Sequence, residues 1–393
     1  MASDITFFPV GNGDMTLIRL PGPKGFTILI DCYFLEETGE TRLTTIDQLY
    51  EYLPVDENGR PYVDVFMLSH PDDDHCHGAK DILHLEAPEA YVDKVPSGTR
   101  KKIFIREMWS APMIFRRKAD DKDLVEDARA IKYEAKRRVD HFRRKKALSN
   151  DGIDLGNRVL VLGQDQKKEG KDRLEGLQGI HKDIDQHITI NDDGVRMIAH
   201  VRGPLPVSDE EGEEEALKNN RSSIILQMQV FIAGTATNFI LMGGDAEVGI
   251  WRRLYQRHKN NLNALAYDLL LAPHHCSWGV LSTESSSAEA KADPEAREAL
   301  AQTNGGYVVS SSKPVVNDKD NPPSHRAKKE YIDITENQGS FFCTGQYPDE
   351  DDPEPLTFKF TAQGPRPPSD GPKGKTAATM AIGLGRTERE HGW

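Results

Sequence analysis

The 393-residue sequence has only four cysteines, Cys32, Cys76, Cys276 and Cys343, and no two of them form a CxxC pair. That excludes a disulfide scaffold and makes a reducing compartment, the cytoplasm, the expectation. No run approaches the roughly 18–20 apolar residues that span a bilayer, so no membrane segment is expected. The opening Met-Ala-Ser-Asp-Ile-Thr-Phe-Phe lacks a basic start followed by an apolar core, and no export signal is expected. No internal repeat is apparent. Aromatic residues make up only 7% and do not interleave the basic stretch, which argues against base-by-base readout of a nucleic acid. Positive charge is scarce overall, and a net charge of -13 argues against nonspecific coating of nucleic acid. The charge is uneven, however. Residues 100–146 hold 17 Lys/Arg against 8 Asp/Glu, a local excess that can attract a polyanion. An apolar share of 37% still suffices for a folded core.

Short β-rich runs open the chain, at residues 5–10, 15–20 and 26–32, separated by Gly-Asn-Gly-Asp and Pro-Gly-Pro turns. They read as an antiparallel meander. Residues 42–53 have helical spacing at Leu43, Ile46, Leu49 and Tyr50. The run 63–69 is nearly all apolar, as suits a strand buried on both faces, and it delivers a polar cluster at 70–78. Two later runs do the same: 238–242 ends in Gly-Gly-Asp-Ala-Glu, and 267–272 ends in Pro-His-His-Cys-Ser. Between them, 246–262 reads as a helix, and 307–309 with 356–360 reads as a strand pair closing the fold. Residues 122–148 place Leu124, Ala128, Ile131, Ala135, Val139 and Phe142 at steps of 4, 3, 4, 4 and 3, which predicts one amphipathic helix. Its other faces are basic. The stretch from about 108 to 218 is therefore expected to be an insertion in a domain covering 1–363. The Gly/Pro/Lys/Thr-rich 364–393 is expected to be a disordered tail.

The chemistry concentrates in Ser69-His70-Pro71-Asp72-Asp73-Asp74-His75-Cys76-His77-Gly78. Neighbouring carboxylates repel one another unless solvated or neutralised by a cation. Imidazole and carboxylate donors together suit Zn²⁺, Mn²⁺ or Fe. A solvated acidic loop is the competing reading. Asp245 and His274/His275 weigh against it, because each follows an apolar strand just as the first cluster does. Loops beyond strand ends can converge at one sheet edge. His70, Asp72, Asp74, His75, Asp245 and one later histidine would supply six donors for two ions.

The pattern His-x-Asp-x-Asp-His resembles a variant of the metallo-β-lactamase superfamily motif, with Asp72 where many members have a second histidine. The resemblance is closest to the soluble nuclease-like domain of the ComEC competence proteins. It is carried by Phe-Phe-Pro-Val-Gly-Asn-Gly-Asp, the His70 turn, Asn220-Arg221-Ser222-Ser223, Gly-Gly-Asp-Ala-Glu and Pro-His-His-Cys-Ser, in that order, over most of 1–105 and 219–360. It implies an α/β fold, a four-layer αββα metallo-β-lactamase sandwich, here with a helical, basic insertion. It implies two divalent metal ions, Zn²⁺ or Mn²⁺. His70 and Asp72 would hold the first, Asp74 and His75 the second, and Asp245 would bridge; of the pair, His275 fits the ligand position and His274 the substrate side. There are departures. The extra histidine that the superfamily places before the bridging aspartate has no counterpart in motif: His181, His187 and His200 lie in the interval without one, and Asn220 is a weak substitute. Cys276 stands where glycine is usual. No membrane channel accompanies the domain, so DNA uptake does not carry over.

A paired-metal site suits in-line attack on phosphorus, with water ionised between the cations as nucleophile. On that reading Asp74 orients the nucleophile, His274 donates a proton or contacts phosphate, and His325 assists the leaving group unless it is simply a loop histidine. Thr344 is read as packing. A metal-dependent phosphodiesterase, and within that class a nuclease holding nucleic acid through the basic helix 122–148, is the leading expectation. The alternatives are a hydrolase of a small phosphoester, cyclic-nucleotide or choline-type, and a non-catalytic interaction protein on the same fold. A wide groove beside the helix would favour polymer, a confined cleft the small molecule.

Overall fold

The computed structural model describes residues 3–22, 25–34, 39–115, 124–164, 174–192, 195–206, 222–284, 290–303 and 305–369. The apolar alternation seen at the start of the chain builds the first sheet. Its strands are β1 (Asp4–Phe7), β2 (Thr16–Leu20), β3 (Phe26–Ile30), β4 (Tyr62–Met67), β5 (Phe104–Ser110), β6 (Arg158–Leu162) and β7 (His181–Lys182). The second sheet takes β8 (His187–Asp192), β9 (Val195–Gly203), β10 (Ile225–Ile232), β11 (Thr235–Met242), β12 (Leu269–Leu271), β13 (Tyr307–Ser310) and β14 (Phe341–Cys343). The chain then returns to the first sheet with β15 (Leu356–Thr361) and β16 (Gly364–Arg366), which run beside β1. β1, β2 and β3 pair antiparallel as the meander predicts, whereas β3 to β7 and β11 to β14 pair parallel.

The central strands of both sheets are buried on both faces, while the edge strand β8 leaves His187, Thr189 and Asn191 exposed; successive residues sort to opposite faces. Ile28 and Ile30 enter the core between the sheets, together with Met228, Ile240, Leu269 and Val309 from the other side. Leu29 points the opposite way, against the outer layer formed by α1 (Gly39–Tyr52) and the first half of α2 (Glu126–Lys145). Leu270 and Val308 face the other outer layer, built by α3 (Val248–His258), α4 (Pro294–Leu300) and α5 (His325–Thr335). The order is helix, sheet, sheet, helix: an αββα sandwich. Among the described residues no helix is long and apolar enough to cross a membrane.

Two expectations need correction. Residues 307–309 and 356–360 do not pair with each other. Each extends a different sheet, and they meet only face to face, with the Tyr307 and Phe358 rings 5.3 Å apart. Apolar alternation tells a strand's faces but not its neighbour. The stretch 108–218 is also woven into the sandwich rather than set beside it, because β6 and β7 extend the first sheet and β8 and β9 the second. The closing strand β16 runs to Arg366, past the expected boundary at 364; positions 370–393 lie outside the described residues.

The basic helix behaves differently from a solvated arm. Its apolar stripe is buried as predicted, with Ala135 and Val139 fully inaccessible. Arg138 is buried too: its Nε donates to Glu134 at 2.6 Å, and its two Nη atoms donate to the Arg158 and Ile105 carbonyls at 3.0 Å. Arg137 donates to Glu134, Asn157 and the Gly156 carbonyl. These two arginines therefore bolt the helix to β5 and β6 and are not available to a polyanion. The exposed basic residues of α2 and its cap are the C-terminal Arg143, Arg144, Lys145 and Lys146.

Removing Glu134 strands a buried guanidinium, which costs about 3–5 kcal/mol in comparable sites. Glu134→Ala should lower the urea-unfolding free energy by that order, while Arg143→Ala, on the exposed end, should stay within about 0.5 kcal/mol.

Candidate metal centre

The three segments singled out in the sequence each leave the C-terminal end of a strand with a parallel neighbour, the edge at which open α/β sheets gather their sites. Ser69 to His75 follow β4, Gly243 to Asp245 follow β11, and the His274/His275 pair follows β12. Asp245 is central. Its carboxylate oxygens lie 3.0 Å from His75 Nε2, 3.7 Å from His70 Nε2, 3.5 Å from His274 Nε2 and 3.7 Å from His275 Nε2. Asp74 approaches His275 Nε2 at 3.3 Å, and Asp72 approaches His70 Nε2 at 3.6 Å. One donor atom each from Asp74, His75, Asp245 and His275 lie within 4.8 Å of one another.

The close packing of this loop cluster depends on two glycines. A Cβ on Gly13 would sit 2.7 Å from the Asp74 carbonyl oxygen and closer still to the Tyr33 ring. Gly244 has φ +50, and a Cβ there would press on Ser223 and Ser69 at 3.0 and 3.2 Å. The His274 turn is held without glycine. His274, His275 and Cys276 all take positive φ, between 50 and 65°. Cys276 takes a left-handed conformation that favours glycine, with its thiol buried against the Ser324 carbonyl. Left-handed non-glycine residues cost of order 1–3 kcal/mol each and gather where the surroundings over-determine them.

Hydrogen bonds behind the cluster aim its imidazoles. Asp31, itself at φ 57, accepts from Ser69 N at 2.6 Å, Ser69 Oγ at 2.7 Å and His75 Nδ1 at 2.8 Å. Because the Ser69 hydroxyl donates to Asp31, it accepts from His70 Nδ1 at 3.1 Å. His275 Nδ1 donates to the Ser311 carbonyl at 3.1 Å. Each ring thereby spends Nδ1 on the protein and turns Nε2 inward, the arrangement that metal-binding histidines require. The inward atoms, Nε2 of His70, His75 and His275 and Oδ1 of Asp245, are buried and make no well-aligned hydrogen bond, although His75 Nε2 and Asp245 lie 3.0 Å apart. Buried polar atoms without well-made hydrogen bonds are costly and rare. Three imidazoles and a shared carboxylate with that defect in common fit a divalent cation.

The electrostatics agree. Burial alone would lower His275, but the Asp245, Asp14 and Asp74 carboxylates outweigh it and raise it to about 9. Burial likewise opposes the charge on His75, yet Asp245 and Asp31 hold it well above its usual range. His70 is pushed down to about 3 by burial and by His75, so it is neutral and its Nε2 lone pair is available. Burial disfavours the charge on Asp245, but His75, His275 and His70 together keep it far below the ordinary carboxylate value. Asp14 rises to about 6 through burial, against the pull of His275 and His75.

The expected residues divide. His70, Asp72, Asp74, His75, Asp245, His274 and His275 are brought together, while Asp73 and His77 turn outward and bond each other at 3.1 Å. His325 begins α5, and among the described residues its ring has no recorded contact with the cluster; Ser324 ties that helix start to the Cys276 carbonyl. His181, His187 and His200 sit in β7, β8 and β9, His181 bonded to the Gly163 carbonyl and the other two facing across a strand pair. Asn220 lies outside the described residues. Thr344 accepts from Ser312 N in the buried interior, a packing role. Asp14, Asp31 and the orienting role of Ser69 escape the sequence reading. The signal was present, since Asp31 ends an apolar strand just as Asp245 does.

No family model and no curated protein matches the chain. Solved structures do align. A beta-lactamase domain protein from Burkholderia ambifaria shares 13% identity with a TM-score of 0.27, covering 68% of this chain and 63% of its own, so the chain spans less than two thirds of that protein. An archaeal metallo-β-lactamase superfamily protein from Sulfolobus tokodaii shares 11% identity with a TM-score of 0.27, covering 84% and 96%. At these values the likeness says nothing of chemistry, and the centre stands on its own side chains.

Two outcomes are expected. Asp31→Asn should weaken Zn²⁺ or Mn²⁺ binding about 10–100-fold by calorimetry, the usual cost of losing an orienting partner. His275 has a folded value of about 9 against an ordinary 6.5, so its contribution to metal-free stability is full below 6.5 and lost as pH rises towards 9. A metal must displace that same proton, so its affinity rises across the same window. The melting-temperature gain on adding metal should therefore grow from pH 6.5 to 9; a gain that shrinks would contradict the assignment.

Proposed function

We propose that the chain is a metal-dependent hydrolase of phosphodiesters. The observation that carries the reading is the convergence on Asp245 of three buried imidazole nitrogens that make no well-aligned hydrogen bond. Asp74, His75, Asp245 and His275 would hold one cation. His70 and Asp72 would hold a second, sharing Asp245, with Zn²⁺ or Mn²⁺ suited to both positions. Ions so held act as Lewis acids and bring the pKa of bound water towards neutrality. The rest falls to the chain. Asp74 is the partly exposed member of the four-donor group, kept ionised against its burial by the His275 and His75 contacts, so it can accept a hydrogen bond from incoming water and orient it. His274 sits on the open side of Asp245, 21% exposed, where it can meet a phosphoryl oxygen. Proton delivery is assigned to His274 rather than His325, which among the described residues makes no hydrogen bond or ion pair with the cluster. The ordered motifs shared with the ComEC nuclease-like domain support a phosphodiester as the bond cleaved.

A polymer substrate has less support. Arg137 and Arg138 are committed to the fold, and the remaining exposed cations begin at Arg143, fifteen residues beyond Ala128 and about 22 Å along the helix. The test is turnover of bis-p-nitrophenyl phosphate and labelled DNA and RNA across Zn²⁺ and Mn²⁺, with Asp74→Ala alongside. Loss of about 10²-fold or more in the variant is expected; unchanged turnover would overturn the mechanism. Reversing Arg143 and Arg144 to Glu should slow cleavage of a nucleic acid and spare the small ester if the chain is a nuclease.

A further inference from the structure

His187 and His200 have no part in the candidate metal centre or in the proposed reaction. They stand directly opposite one another where the edge strand β8 pairs antiparallel with β9. Side chains so opposed share one face of the sheet, with Cβ atoms about 5 Å apart. The two rings lie 5.7 Å apart between centroids, at 52° to each other. His187 is exposed and His200 half-buried. Among the described residues neither ring makes a hydrogen bond or an ion pair, in contrast to His181, whose Nε2 bonds the Gly163 carbonyl. An imidazole nitrogen on Zn²⁺ lies about 2.0–2.1 Å from the ion, which puts each ring centre about 3.2 Å from it. Two rings 5.7 Å apart would then subtend about 125° at a shared ion, an opened tetrahedral angle. The His75 and His275 rings of the Asp245 cluster have a similar separation, 5.1 Å. Burial, the Arg202 guanidinium and His187 together push His200 down to about 4, against the pull of Asp185. A neutral imidazole offers a lone pair rather than a charge, which suits a cation better than an anion. Arg202 gives Nη1 to Asp185 at 2.6 Å, and this pairing offsets its charge towards a cation nearby.

The geometry points to a separate metal site, His187 with His200, that takes an imidazole-preferring divalent ion, Zn²⁺, Ni²⁺ or Cu²⁺, with water in the remaining positions. Asp185 is not its third ligand, because Arg202 and Arg257 already hold that carboxylate. The site stands apart from the Asp245 cluster. Three strand spacings, about 14 Å, separate β8 from β11, the strand that leads into Asp245. It therefore owes nothing to the hydrolase reading. The ion clasps the first residue of β8, where the chain has just crossed from the first sheet, to its neighbour β9. Among the described residues β9 is the one strand that pairs with β8, so the clasp reinforces a sheet edge.

Calorimetry on the full chain, titrated with Ni²⁺ alone, counts the ions bound. His187→Ala, at an exposed position, should bind one equivalent fewer than the wild type. His200→Ala should lose the same equivalent, and the double variant no more, because the two rings share one ion. His181→Ala, on a neighbouring strand, should keep it. Mn²⁺ favours oxygen donors and should bind the wild type and His187→Ala alike. In Asp31→Asn, which acts on the Asp245 cluster, the equivalent that depends on His187 should keep its affinity. If His200→Ala does not fold, His187→Ala decides the matter. Equal Ni²⁺ stoichiometry and affinity in the wild type and His187→Ala would overturn the site. So would a matching loss in His181→Ala, which would mark scattered binding to strand histidines. Disappearance of that equivalent in Asp31→Asn would place the ion at the Asp245 cluster and overturn it as well.

Discussion

The carboxylate of Asp31 is the fixed point from which the centre is built. It receives a backbone N–H, a hydroxyl and an imidazole N–H, and through the hydroxyl it also governs the ring of His70. Two imidazoles are thus aimed by one buried carboxylate, His75 directly and His70 through Ser69. Low local dielectric makes such a network strong when every member is satisfied. In the rings of His70, His75 and His275 the outer Nδ1 is bonded to the protein and the inward Nε2 is left over. The left-handed backbone at Asp31 is tolerated because the contacts around it leave no alternative.

Charge along α2 separates by depth rather than by sequence. One arginine is neutralised inside the fold by Glu134, one lysine is buried, and the last turn is left to solvent. Cations at a helix C-terminus also complement its dipole, which gives the terminal Arg143, Arg144 and Lys145 a local use that involves no ligand. A composition count cannot separate these three fates, because each depends on what the opposite element presents. Glu134 is four residues from Arg138, but the carbonyls of Ile105 and Arg158 that complete its environment come from separate strands.

Much of the architecture is legible in the sequence because burial on both faces imposes near-continuous apolar strands, and these are easy to find. The runs ending at Met67, Met242 and Leu271 each deliver donors to one edge, as strand-end geometry requires. The cluster His70, Asp72, Asp74, His75, Asp245, His275 is readable for the same reason. Partner choice between strands is not readable: Tyr307 and Phe358 are both apolar-run residues, and only the register shows that they belong to different sheets. The supporting groups are hidden for a different cause. Ser311 contributes a carbonyl, which every residue has, and Asp14 resembles any acidic residue of a Gly-rich turn until His75 and His275 are placed beside it.

The closure of the first sheet ties the two ends of the described chain together. Asp4 lies opposite Lys359 and Phe7 opposite Leu356, so β1 acquires its outer neighbour only from β15, far along the chain. Contacts this distant are slow to form because loop-closure entropy must be met first. During synthesis β1 therefore offers an open edge until Leu356–Thr361 has left the ribosome, an interval in which a shielding chaperone or a transient pairing partner would have the most to do.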